Sequence, residues 1–223
     1  MNLTATEENY LKEIYHLQQQ GDKVFTNQLA EQLQTTPASV TDMLKKLHIK
    51  SLVAYERYQG FELTHTGASR ALEVIRRHRL WEYFLCVKLG FDWNEVHPLA
   101  EQLEHVSSVA LIEKLDTYLG NPQADPHGDP IPDAAGNLPA MHHLPLTEAP
   151  LQKTMRVAAV ANQAPDLLDM LNQLQIHLGA SITIRKKFGF DGSLDVLINR
   201  KHPTVLPETI ARHLFVQPLN PRS

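Results

Sequence analysis

Two short amphipathic segments joined by a tight turn, within residues 26–50, constrain the fold of this chain more than any other feature. The first segment is TNQLAEQL, residues 26–33, and we expect Thr26 to be its N-cap. The turn at residues 34–36 leads to Pro37, which suits the first turn of the following helix, ASVTDMLKKLHIK. The arrangement predicts a helix-turn-helix.

A predicted β-hairpin follows directly. Residues 52–55 and 61–63 are short strand-like runs on either side of a turn that contains Gly60. A hairpin in this place is a wing, and it favours DNA binding over a plain helical hairpin with solvated lysines. The formal net charge of −4 does not exclude DNA, because local patches decide contact with phosphate. We expect base contacts from Thr36, Ala38, Ser39 and Asp42, and phosphate contacts from Lys45, Lys46, Lys50 and Arg57.

The rest of the chain divides into a helical part and a strand-rich part. Thr4 and Glu7 form a capping-box pattern at the start of the first helix. Further helices are predicted at residues 67–89, 93–105 and 108–119. The sequence therefore predicts an α+β multidomain protein: a winged helix-turn-helix domain (1–66), a helical metal-binding and dimerisation domain (67–120), a Pro/Gly-rich linker or ordered loop (121–150), and a small C-terminal β-barrel (151–219).

Histidine and carboxylate residues recur at helical spacing in the middle of the chain. His78 and Glu82 are four residues apart, and the next predicted helix carries His97, Glu101, Glu104 and His105. A single such pair usually belongs to a solvated acidic face. Two sets on consecutive helices point to a metal site, because carboxylates that are brought together repel unless a cation lies between them.

Several segments resemble the diphtheria toxin repressor family of metal-dependent regulators, including its manganese-sensing branch. They are EENYLKEIYHL, TPASVTDMLKKL, RRHRLWE, EVHPLAEQLEHV and DPHGDPIP, and the C-terminal barrel resembles the SH3-like (FeoA-type) domain of many members. The resemblance implies a primary metal site of Asn9, Glu101, Glu104 and His105. It also implies an ancillary site of His78, Glu82, His97 and, from the barrel, Asp166. His127 is a weaker candidate, which we expect to be a solvated loop residue.

The resemblance also bears on which metal is bound. Iron-sensing members place Met and Cys where this chain has Asn9 and Glu101, and oxygen donors suit Mn(II) better than sulfur does. Mn(II) is therefore the expected cofactor, with Fe(II) as the alternative. Lys12 stands where two-domain manganese sensors have a Glu, which favours two separated sites over an adjacent pair of ions.

The expected function is metal-dependent repression of metal-uptake genes by a homodimer that binds double-stranded operator DNA. The single cysteine, Cys86, fits a cytoplasmic protein, and the absence of a long apolar run predicts no membrane segment. Fe(II)-responsive repression is the alternative within the same class. A metal-dependent hydrolase is the alternative from another class, but the chain has no general-base motif, phosphate-binding loop or nucleophile arrangement, so no enzyme activity is expected.

Overall fold

The computed structural model describes residues 3–21, 23–56, 60–106, 108–161 and 164–219. Arg57, one of the residues expected to contact phosphate, lies outside the described residues. The chain forms two compact units. The first comprises residues 1–78, 101–114 and 132–138, and the second comprises residues 79–100, 115–131 and 139–223.

Three helices open the first unit: α1 (Ala5–Gln20), α2 (Thr26–Gln32) and α3 (Pro37–Ile49). The capping box predicted for α1 is confirmed, since the Glu7 amide donates to Thr4 Oγ1 at 3.2 Å and the Thr4 amide donates to Glu7 Oε2 at 2.9 Å. Pro37 is the first residue of α3, as expected. The N-cap expected for α2 is wrong: Phe25 holds that position, and the Gln28 side chain accepts its amide hydrogen at 3.0 Å.

The predicted wing is an antiparallel hairpin of β1 (Val53–Glu56) and β2 (Gly60–Leu63). Backbone hydrogen bonds between Val24 and Phe61, at 3.0 and 2.9 Å, attach the hairpin to the segment before α2. The core beneath these elements contains the apolar stripe of α1 and the inward faces of α2 and α3, with Leu11, Ile14, Leu29, Val40, Leu44 and Leu47 among its fully buried members.

Three further helices follow: α4 (His65–Leu89), α5 (Val96–Leu103) and α6 (Val109–Leu119). The Thr64 hydroxyl oxygen accepts from the Gly67 amide at 3.0 Å in the first turn of α4. The predicted helix over residues 93–105 is too long at both ends, and Glu104 and His105 lie in the turn after α5. The Glu104 carbonyl accepts from Arg77 Nε at 2.5 Å, so its partner is a side chain of α4.

The second unit contains a six-stranded antiparallel sheet with the order β3-β8-β4-β5-β6-β7. The predicted barrel is not closed, because the order ends at β3 and β7. Pro145 and Pro203 lie in these edge strands, and proline cannot donate a hydrogen bond to a further strand. The elements are β3 (Leu144–Pro145), a 3-10 helix (Leu146–Glu148), β4 (Thr154–Val160), α7 (Pro165–Gln173), β5 (Ser181–Lys187), β6 (Leu194–Ile198), β7 (His202–Leu206), α8 (Glu208–Ala211) and β8 (Leu214–Pro218).

The inward side chains of this sheet form the larger apolar core of the protein. Met155 and Val157 of β4 pack with Ile182 of β5 and Val196 of β6, and Trp93 from the segment before α5 belongs to the same core. Within the described residues, no helix has both the length and the apolar character that crossing a membrane requires.

Candidate metal centres and DNA interface

A buried group of Glu82, Asp125 and His127, here called the Glu82 cluster, has the geometry of a metal site. Glu82 projects from α4, and the other two residues lie in the turn between Ala124 and Pro130, which are joined by an isolated β-bridge. Asp125 Oδ1 organises the turn, since it accepts from the amides of His127 at 2.8 Å and Asp129 at 3.0 Å.

The ring of His127 is held in one tautomer. Its Nε2 lies 2.8 Å from the carbonyl oxygen of Trp93, which can only accept, so Nε2 carries the hydrogen. In the neutral ring Nδ1 then has a lone pair. That atom is 3.8 Å from Glu82 Oε2 and 4.0 Å from Asp125 Oδ1, too far for hydrogen bonds. The lone pair of Nδ1 and the two carboxylates are donors that a divalent cation can bind, and an Nε2–H bonded to a backbone carbonyl is a common way to orient a ligating histidine.

Burial makes it energetically unfavourable for both carboxylates of the Glu82 cluster to be ionised without a nearby positive charge. The side chains of Glu82, Asp125 and His127 are each at most 1% exposed. Burial, with Asp129 and Glu82 nearby, raises the pKa of Asp125 to about 7, although Arg79 opposes the shift. Burial opposes protonation of His127, but the carboxylates of Glu82 and Asp125 outweigh it and raise the pKa of the imidazole. Protons on Asp125 and His127 therefore supply the positive charge that a bound metal ion would otherwise supply.

Gly128 permits the turn that carries this cluster. Its φ is +90°, and a Cβ at this position would lie 2.2 Å from the carbonyl oxygen of Ala158. The neighbouring backbone is fixed by the hydrogen bond from the Val160 amide to the His127 carbonyl, at 2.8 Å. The expectation that His127 is a solvated loop residue is wrong, because the turn packs against β4 and buries the ring.

Three of the predicted ancillary ligands, His78, Glu82 and His97, also come together, with one ligand atom of each within 4.8 Å of the others. His97 Nδ1 lies 3.2 Å from Glu82 Oε1, and His78 stands one helical turn before Glu82 on α4, with its own Nδ1 2.6 Å from Glu104 Oε2. Asp166 is exposed in the first turn of α7 and belongs to none of the candidate ligand groups found among the described residues.

A second polar group, here called the α1 cluster, contains Glu8, Lys12, Arg77, His78, Glu104 and His105. Lys12 Nζ donates to both oxygens of the fully buried Glu104, at 2.7 and 3.0 Å. Glu8 accepts from Arg77 Nη2 at 2.7 Å and lies 2.7 Å from His105 Nδ1. Burial disfavours the charged form of Glu104, but the hydrogen bond with His78 and the ammonium of Lys12 prevail and lower the pKa of the carboxyl.

The expectation that the clustered carboxylates repel one another without metal is therefore wrong for Glu104, since Lys12 neutralises it. Glu8, which is not among the expected ligands, is paired with Arg77. Of the other predicted primary ligands, Glu101 is half-exposed with its Oε1 3.7 Å from Lys12 Nζ. Asn9 Oδ1 is buried without a hydrogen-bond partner among the described residues. In that part of the chain, no group of three His, Cys, Asp or Glu ligand atoms within 4.8 Å includes Glu101, Glu104 or His105.

The helix expected to read DNA presents its predicted base-contacting residues to solvent. Thr36, Ala38, Ser39 and Asp42 are exposed, as are Lys45 and Lys46. The Thr36 hydroxyl oxygen also caps α3 by accepting from the Ser39 amide at 3.2 Å, and Lys45 pairs with Asp42 at 3.2 Å. Lys50 Nζ lies 2.5 Å from Glu7 Oε1, so the ammonium expected to contact phosphate forms an ion pair within the unit.

Comparison with known protein families divides the chain into three matches. Residues 2–61 match the iron dependent repressor N-terminal DNA binding domain, residues 64–133 match the iron dependent repressor metal binding and dimerisation domain, and residues 144–218 match the FeoA domain.

Several relatives that match nearly the whole chain are named as repressors. The iron-dependent repressor IdeR of Mycobacterium tuberculosis is 29% identical over 229 residues, which cover 96% of this chain and 98% of that protein. A manganese-dependent transcriptional repressor, solved in complex with manganese, is 35% identical with a TM-score of 0.85, covering 95% of this chain and 99% of that one. ScaR with bound Cd²⁺ is 32% identical with a TM-score of 0.77, covering 96% and 99% of the two chains.

Proposed function

The chain belongs to the iron-dependent repressor family of metal-dependent transcriptional regulators, and on that premise we propose that it is an Mn(II)-activated repressor that binds operator DNA as a homodimer. The family consists of regulators and not of enzymes, so the hydrolase alternative is not retained. The observation that carries the proposal is the Glu82 cluster, in which one buried oxygen or nitrogen atom from each of its three residues lies within 4.8 Å of the others.

The donor set of the Glu82 cluster supports manganese over softer metals. Glu82 and Asp125 offer carboxylate oxygens, and His127 offers Nδ1. The two carboxylates are hard donors that suit Mn(II), the imidazole is a donor that Fe(II) also accepts, and the single thiol, Cys86, is not part of the candidate group. A related repressor solved with manganese adds support, and Fe(II) remains the alternative. His97, which contacts Glu82, and His78, one turn earlier on α4, are proposed as further ligands of the same region, with Asp166 kept as a prediction.

The second ion site expected from Asn9, Glu101, Glu104 and His105 stays a prediction, and an ion could bind there only if Lys12 left Glu104. The unpartnered oxygen of Asn9 supports this assignment. The ion pairs of Glu104 with Lys12 and of His105 with Glu8 mean that any ion there competes with groups that the chain itself provides.

We propose that metal binding changes DNA affinity by changing the relative position of the two α3 helices in the dimer. A bound divalent ion would supply the positive charge that lets the buried carboxylates stay ionised and close together. Glu82 would then be fixed to the turn of Asp125 and His127, and α4 would sample a narrower range of positions. In a dimer this range sets the spacing of the two α3 helices, which must match half-sites about 34 Å apart, or a multiple of that distance. Metal and DNA must then favour each other's binding reciprocally.

The dimer is proposed to form through apolar residues of α4 and α6. Val109, Leu111 and Tyr118 of α6 are large and exposed, as are Val87 and Leu89 of α4. Burying such side chains against a second copy is favourable by about 25 cal/mol for each Å² of apolar surface removed from water. The target genes are proposed to encode metal-uptake proteins. Because a repressor must reach the DNA of these genes, the protein is proposed to be cytoplasmic.

The test begins with selection of operator DNA from a random-sequence library by the Mn(II)-loaded protein. H127A removes the Nδ1 donor, so we expect its binding to the selected DNA to be weak and insensitive to Mn(II). H202A, which alters an exposed histidine of β7, is the matched control and should behave as wild type. Unaltered Mn(II) dependence in H127A would show that the Glu82 cluster is not the activating site.

A further inference from the structure

Lys12 is a lysine that the fold buries almost completely. It is 5% exposed, although it lies on α1 beside the apolar stripe that forms the core. Its Nζ reaches Glu104, 92 residues further along the chain, at 2.7 and 3.0 Å, and lies 3.7 Å from Glu101 Oε1. A buried ammonium is tolerated when it is paired in this way and costs several kcal/mol when it is not.

The position of the ammonium matters as much as its charge. Nζ is within ion-pair distance of both Glu101 and Glu104, so it occupies the place that a cation shared by these two carboxylates would take. A divalent ion there would have to displace a charged group that already has two hydrogen bonds. Arg77 acts in parallel, with Nη2 bonded to Glu8 and Nε bonded to the Glu104 carbonyl.

We propose that Lys12 is a built-in cation that fastens α1 to residues 101–106 without metal and denies the space between Glu101 and Glu104 to a divalent ion. The α1 cluster is then assembled before metal arrives, and the metal-dependent change is concentrated at the Glu82 cluster. This part of the account rests on the proposed function only in taking the chain to be a metal sensor.

Three substitutions at Lys12 test this directly. K12M leaves Glu104 buried beside an apolar side chain, and we expect the melting temperature of the chelated protein to fall by roughly 6 °C or more. K12R keeps the charge and should retain most of that stability. K12E removes the ammonium and adds a carboxylate next to Glu101 and Glu104, so we expect it to bind about one more Mn(II) per chain than wild type, counted by equilibrium dialysis, with Mn(II) restoring its melting temperature.

K23M is the control for losing a lysine ion pair, since Lys23 pairs with Glu62 at 3.0 Å in the same unit but remains partly exposed. It should change the melting temperature little. If K12M by itself does not fold, K12M/E104Q removes both charges and should recover a folded protein. The proposal is overturned if K12M is no less stable than K23M, or if K12E and wild type bind the same number of ions. None of these measurements uses DNA, so they stand or fall separately from the repressor function.

Discussion

Asp125 and Glu104 are both buried carboxylates, but their surroundings shift their pKa values in opposite directions. The pKa of Glu104 is lowered despite its burial, because His78 and Lys12 stabilise the charged form. The pKa of Asp125 rises to about 7, because burial and two nearby acidic groups outweigh the attraction of Arg79. Glu104 is therefore balanced by the chain, while Asp125 needs either a proton or an added cation.

The pH dependence of metal binding follows from this difference. Mn(II) binds the ionised form of Asp125, and the carboxyl holds its proton below a pH of about 7. We expect Mn(II) affinity of wild type to rise with pH by up to roughly tenfold per unit below that value and to level off above it. Calorimetry in buffers of different ionisation enthalpy would detect the released proton.

D125N is the matched variant for this measurement, because it has nearly the same shape and no titrating carboxyl. It should bind Mn(II) weakly at every pH and lose the part of the dependence that arises from Asp125. A wild-type affinity that is flat between pH 6 and 8 would contradict the role assigned to Asp125.

At the scale of elements, the turn from Ala124 to Pro130 determines whether His127 can reach Glu82. Gly128 adopts φ +90° against β4, and a side chain there would collide with backbone atoms of Ala158 and Ala159. We expect G128A to destabilise the protein by about 1–3 kcal/mol and to weaken Mn(II) binding, because the turn must shift. Thermal unfolding and equilibrium dialysis measure the two effects.

G179A controls for the backbone strain alone. Gly179 has a similar φ of +86°, but nothing lies within 4 Å of the position of its Cβ. G179A should therefore lower the free energy of unfolding by about 1 kcal/mol and bind Mn(II) with the affinity of the wild type. Equal metal affinity in G128A and wild type would mean that the turn does not position a ligand.

The recognition helix α3 gives a prediction of a different kind. Lys46 is exposed, and we expect its ammonium to contact phosphate rather than a base. K46A should weaken binding to all DNA sequences alike and reduce the slope of log affinity against log salt by about 1. K153A removes an exposed lysine outside the winged helix and serves as the control. If K46A weakened binding only to DNA with a particular base at one position, Lys46 would instead contact that base.

Much of the fold at this scale could be predicted because local chemistry determines it. The capping box of Thr4 and Glu7, the proline that opens α3 and the hairpin around Gly60 each depend on residues close together in sequence. The end of α5 could not be predicted in this way. Helical spacing continues through Glu104, but the carbonyl of that residue is bonded to Arg77, 27 residues earlier in the chain.

The candidate sites could be predicted only in part for the same reason. His78 and Glu82, four residues apart on α4, and His97 on the next helix are expected from helical spacing, and one ligand atom of each lies within 4.8 Å of the others. The burial of His127 depends on the packing of a glycine turn against β4, and nothing in a Pro/Gly/Asp-rich segment distinguishes such a histidine from a solvated one. The inward position of Lys12 depends on a carboxylate 92 residues away.

At the scale of the whole molecule, separate clusters have separate tasks. The winged helix presents exposed polar and basic residues on α3, and the α1 cluster is held by cations that the chain provides. The Glu82 cluster combines buried carboxylates with an imidazole lone pair, and the pKa of Asp125 stays raised although Arg79 Nε lies 3.7 Å from its Oδ2. Metal is therefore expected to act on the whole protein mainly through this one group.

The affinity of the protein for its selected operator, measured by fluorescence anisotropy with and without Mn(II) at fixed salt, tests the central claim most directly. Metal-stripped protein should bind roughly 5–150-fold more weakly than the Mn(II)-loaded protein, and the same factor should appear in the Mn(II) affinity measured with and without DNA. Equal operator affinity in the stripped and loaded states would contradict the account.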